Sequence, residues 1–231
     1  MHGTGMISID GVPLSLLEIG APLPAPFFNT GAIPNHLMPD PWQELRDHRA
    51  HVFVMPAQEP DGRVAAVATA RAVTLLGWAI ALVTGAEAIK WTDANNFVPV
   101  SRLQDCAPEL VPARGLAIPA WIRILAARVH GQQKIIAGSY GLWAFGLPEI
   151  EYAPTDLPMH YLVPHAYAVC AFLLRQKKSV RSDEGRHPDA IDVDGVNAFA
   201  VETLAHGSFG KTPALRLTRL RPGLVRGLHG R

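Results

Sequence analysis

The sequence is poor in the features by which most activities are read from a chain. It has two cysteines in 231 residues, so no disulfide framework can be built. Cys106 and Cys170 are far apart and form no Cys-x-x-Cys pair, which suits a reducing compartment. Cys170 lies in the apolar run 166–174 and reads as a small core hydrophobe. Charge is also scarce: 18% of residues are charged, the net charge is +1, and 48% are hydrophobic. Disordered chains show the opposite balance. Collagen-like and coiled-coil compositions do not fit, and no repeat of solenoid period appears. Residues 1–6 lack the basic region and apolar core of a signal peptide, so a cytoplasmic location is expected. No cofactor motif is intact, and no cofactor is expected.

Acidic residues are missing from the last stretch. Residues 203–231 carry six Lys/Arg and no Asp/Glu, whereas residues 1–202 carry a net −5. A basic tail can bind nucleic acid or an anionic surface. Here Arg216, Arg219, Arg221, Arg226 and Arg231 are widely spaced. The rest of the chain would repel phosphates, so no nucleic-acid partner is expected. A solvated strand with a basic tail from about residue 221 is the simpler reading.

Residues 64–83 form a run of 20 with one charge, Arg71. That length could span a bilayer. Seven alanines make the run weakly hydrophobic, and a central arginine costs about 2.5–3.5 kcal/mol on insertion. A core helix of a globular domain, with no membrane partner, is the expectation.

Residues 7–19 read as strand, turn and strand about Asp10-Gly11. Six prolines in 21–41 predict a long loop, followed by a short helix at 41–48 and a strand at 51–55. Asp61 is placed to cap the next helix and Gly85 to end it. Strand pieces follow at 86–91 and 97–100, then a hairpin across 121–137 and a strand at 149–152. A second helix covers 158–174, with Pro164 starting its regular part. Late strands fall at 191–193, 198–204 and 214–220. The expected architecture is one α+β domain: a mainly antiparallel sheet arrangement packed with two principal helices.

The chemical motifs are near misses. Residues 205–212, Ala-His-Gly-Ser-Phe-Gly-Lys-Thr, match a phosphate-binding loop except for Ala205. A proline and an alternating strand pattern follow instead of a helix, so a hairpin turn is expected. His48 and His51 are three apart but straddle a change from helix to strand. His160 and His165 have Pro164 between them. Neither pair has a third ligand at zinc spacing. Ser139 is not in a nucleophile elbow. Asp189, Asp192 and Asp194 lack the distal glutamate of a calcium loop.

Glu149 and Glu151 alternate about Ile150 and share one side of a strand. Three uses stay open. They can ion-pair with Arg123 or Lys134. They can face a protein partner, with Asp156, as an acidic surface. They can act as an acid/base or metal pair with His160 or His165, as in a metal-assisted hydrolase. Asp183 and Glu184 belong to a second acidic region.

The run 141–151, Gly-Leu-Trp-Ala-Phe-Gly-Leu-Pro-Glu-Ile-Glu, carries a resemblance. So do 17–24, Trp42 and His48 with 51–55, and 191–204. Together they are similar to the bacterial family called domain of unknown function 4261. The family's Tyr-Trp-Gly stretch is replaced here by Ile89-Lys-Trp-Thr92. The resemblance implies a bacterial protein without recognised catalytic residues, akin to accessory or immunity proteins of secreted toxins. Independently of it, Gly141 and Gly146 permit positive φ, Leu142, Trp143 and Phe145 are bulky and some of them must pack on a core, and Pro148 ends the turn. The reading is a non-enzymatic protein-binding module, partnered by a toxin or effector through Glu149, Glu151, Asp156, Asp183 and Glu184, with no metal.

Overall fold

The computed structural model describes residues 2–29, 31, 33, 35–103, 115–176, 190–195 and 197–220. The architecture is α+β, with mainly antiparallel sheets and two long helices. Two compact units divide it, Met1–Trp121 and Ile122–Arg231.

In the first unit, β1 (His2–Ile9) and β2 (Val12–Ile19) form the expected hairpin. Asp10 and Gly11 have φ of 51° and 79°, the left-handed pair that a tight hairpin turn demands. β3 (His51–Pro56) pairs with β2, giving the order β1-β2-β3. Before it comes α1 (Pro41–Glu44), where the Asp40 side chain accepts from the Gln43 amide at 3.1 Å. The long helix α2 (Gly62–Thr84) lays Ala72 and Leu76 against Leu14, with Val12, Leu16 and Val54 around them. Gly85, at φ 70°, ends it as expected. Asp61 stands at the start, but its side chain makes no capping bond.

The strands β4 (Ala88–Trp91) and β5 (Asn96–Pro99) form a separate ladder. They hold the proline-rich segment. Asn35 donates to Asn96 Oδ1 at 2.8 Å and to the Phe97 carbonyl at 2.6 Å. Phe28 stacks on Phe97 with ring centroids 5.4 Å apart. A segment that cannot join a ladder is thus fixed by a buried amide pair and ring packing. The short helix α3 (Ile118–Trp121) buries Trp121, whose indole donates to Thr74 Oγ1 at 2.8 Å.

The second unit is built on one six-stranded sheet of β6 (Arg123–Arg128), β7 (Ile135–Tyr140), β8 (Glu149–Thr155), β9 (Ala190–Ile191), β10 (Phe199–Leu204) and β11 (Ala214–Arg219). Its order is β6-β7-β8-β11-β10-β9, and only β8 and β11 run parallel. The helix α4 (Met159–Arg175) packs on β6 and β7. It buries Leu162, Ala166, Val169, Cys170 and Leu173, at the spacing of one helical face. The helix starts ahead of Pro164 and runs through it. Near the N-terminus a proline forfeits only one backbone bond, so the helix tolerates it.

Candidate functional site

The 141–151 run proves to be a self-locking piece of structure. Gly141, at φ 125°, leaves β7 and starts a single 3-10 turn, Leu142–Phe145, which Gly146 closes at φ 68°. Leu142 and Phe145 are buried while Trp143 stays exposed. The turn leaves backbone N–H groups unpaired at its start. Glu149 satisfies them: its Oε1 accepts from Gly141 N at 2.9 Å and from Trp143 N at 3.2 Å. Its Oε2 accepts from the Ser139 hydroxyl. Ser139 Oγ in turn accepts from the Ile150 amide at 2.9 Å. Glu149 is 5% exposed. Burial raises its pKa, opposed by the Ser139 hydroxyl and the turn's amides. Burial likewise pushes the Cys170 thiol well up, aided by the Glu149 charge.

Glu151 does a matching job on the other side. It is 4% exposed. Its Oε1 accepts from Arg216 Nη2 at 3.0 Å, and its Oε2 from the Ser208 amide. Burial pushes this carboxyl up, but the Ser208 amide and hydroxyl and the Arg216 guanidinium outweigh it and leave the pKa lowered. The parallel pairing sets Arg216 opposite Glu151, so Arg216, not Arg123 or Lys134, is the partner. The segment 205–213 is the connection of the β10–β11 hairpin, as expected. It folds over Glu151, and Gly207 donates to the Thr212 carbonyl at 3.1 Å.

Glu149 and Glu151 therefore border one cavity, with Gly207, Phe209, Gly210 and Thr212 around it. Its volume is about 10 Å³, the room for one water molecule. Neither carboxylate presents an acidic surface, which corrects the partner-facing reading of this pair. The physical reason is that strand β8 lies inside the sheet and each carboxylate closes an adjoining loop. Asp156 is exposed and lies 3.6 Å from Arg219. Asp183 and Glu184 lie outside the described residues, as do Asp189 and Cys106.

The histidines are not brought to the glutamates. His48 Nε2 accepts from the Leu23 amide at 2.6 Å, and His51 Nδ1 lies 2.8 Å from the Ala21 carbonyl. Both tie down the proline-rich segment. Among the described residues no group of three or more His, Cys, Asp or Glu is placed to hold a metal.

A second polar cluster went unrecognised in the sequence. Tyr152 Oη and His165 Nδ1 are 2.6 Å apart and share a hydrogen bond. Asp194 Oδ2 is 4.0 Å from His165 Nε2. Tyr161 donates to Asp194, and Asn197 Nδ2 donates to the Tyr161 hydroxyl at 2.6 Å. Tyr161 stacks on the His165 ring at 5.5 Å. Burial and the Asp194 carboxylate push the Tyr161 hydroxyl up to about 12. The cluster fastens Asp194 and Asn197 to α4. Only the four-residue step from Tyr161 to His165 was visible in sequence.

The chain matches no family model, no curated protein and no solved structure. The similarity to domain of unknown function 4261 thus stands on the quoted residues alone.

Proposed function

We propose that the chain is a non-catalytic protein-binding module that holds its partner on the open side of the β1-β2-β3 sheet. The observation that supports this is an uncovered apolar face. The register places Met6, Leu17, Ile19, Phe53 and Met55 together with Thr4, Ser8, Ser15 and His51, on the side opposite Leu14 and Leu16; Met6 and Met55 are exposed and Leu17, Ile19 and Phe53 half-buried. No Asp, Glu, Lys or Arg shares that face, and none of its residues is fully buried. The helix α2 covers the other side. Contiguous apolar surface of this kind marks interaction sites. The non-catalytic part of the reading rests on Glu149 and Glu151. Their oxygens are committed to two loops, around a space for one water.

The partner is a protein with an apolar, uncharged contact surface, so binding depends weakly on salt. The family resemblance supports an immunity or accessory role beside a secreted toxin or effector. The test is capture with tagged protein, followed by titration of the purified partner. Met55 is 43% exposed, so Met55→Glu keeps the fold. It should weaken binding at least about tenfold, since a carboxylate would be buried unpaired. Asp156→Lys should change little. Binding indifferent to Met55→Glu, or binding to lipid vesicles instead of a protein, would overturn the proposal.

A further inference from the structure

The free edge of the same sheet carries an inference that stands apart from the partner reading. β1 pairs with β2 on one side and ends the sheet on the other. Exposed strand edges are usually guarded by charges, prolines, bulges or shortness. β1 has none of these guards. It is eight residues long, its pairing with β2 is unbroken, and no charged or proline residue occurs in 3–9. Residues 3–8 are all exposed, with Met6 at 69% and Ile7 at 42%. The opposite edge differs: β3 ends in Pro56, and its His51 holds the Ala21 carbonyl.

We propose that β1 pairs antiparallel with β1 of a second copy, about a two-fold axis through Met6, to form a continuous six-stranded sheet. The axis must be normal to the sheet, so facing residues lie on one side of it and have the same parity. Among such registers, the one centred on Met6 pairs all of 3–9. It sets Gly3 opposite Ile9 and Gly5 opposite Ile7 on the side of α2. It sets Thr4 opposite Ser8, and Met6 opposite Met6, on the open side. Gly5 then faces Ile7, which fills the space left beside Leu16, and Gly3 faces Ile9 next to the Glu18 side chain. The Thr–Ser pair can exchange a hydrogen bond. A two-fold sets like against like along the axis, so charge there would repel. Residues 3–9 carry none, and the Glu18 carboxylate on β2 sits beside Gly3, away from the axis at Met6. This self-complementarity of shape and charge selects a second copy over a foreign strand.

The test uses the full chain in sedimentation and in oxidative cross-linking. The expected mass is that of two chains. Met6→Cys should form a disulfide-linked dimer, because facing strand positions lie within disulfide reach. Both chains carry Cys106→Ser, and the chain with Met6 retained, treated identically, should not, since its remaining Cys170 is buried. Met6→Lys sets two ammonium groups together and should abolish the dimer without altering the circular dichroism. Met55→Lys on β3 should leave the dimer intact. A single-chain mass at every concentration, or polydisperse aggregates, would overturn the proposal. So would a dimer that survives Met6→Lys or fails to link through Met6→Cys.

Discussion

The two units of this chain use the same α+β materials to opposite ends. Among the described residues, nine of the twelve exposed large hydrophobic side chains belong to the first unit. Seven of the eleven largest fully buried side chains belong to the second. The first unit covers one side of a three-stranded sheet with one alanine-rich helix and leaves the other side open. The second places two of its acidic residues, Glu149 and Glu151, inside. Two buried glutamates close loops that a six-stranded sheet could not otherwise satisfy. The difference teaches that the acidic motif builds the scaffold, while the plain apolar strands carry the surface. On the proposed function, substitutions should cost stability at the two buried glutamates and binding on the open face of the three-stranded sheet.

The largest effect should come from Glu149→Ala. It strips the acceptor from Ser139, Gly141 N and Trp143 N together. Charge-assisted bonds to buried donors make this a loss of about 3–5 kcal/mol, read as a lowered denaturant midpoint with an unchanged slope. Met55→Glu in the first unit should stay within about 0.5 kcal/mol of the native chain. Equal costs for the two would break the division of labour.

Next comes Gly138→Ala. A Cβ there would lie 2.6 Å from Phe209 and 2.9 Å from the Ile150 carbonyl. Overpacking of this kind costs about 1–3 kcal/mol. Phe209→Ala in the same chain should return part of it, since the nearest clash is with that ring. Failure of the double substitution to recover any stability would place the strain on the backbone carbonyl. In the first unit, Thr74→Val should cost about 1–2 kcal/mol. It leaves the Trp121 indole N–H, now 2.8 Å from Thr74 Oγ1, without that acceptor.

Much of the scaffold was legible in the sequence, for a local reason. Asp10-Gly11, Gly85 and the 130–133 turn are short-range signals that fix where the chain reverses or stops. The failed phosphate loop was readable as a hairpin because an alternating strand follows it. The alternation of Glu149 and Glu151 is plain in the sequence, but their burial is not. It depends on β11 lying beside β8, a neighbour 65 residues away that brings Arg216 to Glu151. The Tyr152–His165–Asp194 cluster was hidden for the same reason, since its members come from a strand, a helix and a turn. The open sheet face needed the register of three strands before its residues could be seen together.

The smallest effect concerns that cluster and sharpens the contrast from within the second unit. Burial lowers the pKa of His165, against the pull of Asp194 and Asp192. Unfolded, a histidine takes up its proton near pH 6.5. Below that value the unfolded chain binds more protons at this site than the folded one. The contribution of His165 is thus fully present above about pH 6.5 and is lost as pH falls toward the lowered folded pKa. The slope for one proton is at most about 1.4 kcal/mol per pH unit. Glu149, with its raised pKa, works in the opposite sense at lower pH, losing stability as pH rises above its unfolded value. The comparison must therefore be differential. His165→Gln should melt lower than the native chain at pH 7, yet lose less on going from pH 7 to pH 5, because Gln carries no proton there. Parallel melting curves for the two chains over that interval would show that His165 does not sense acid. Tyr152 and Asp194 would then act only as packing and hydrogen-bonding partners of α4.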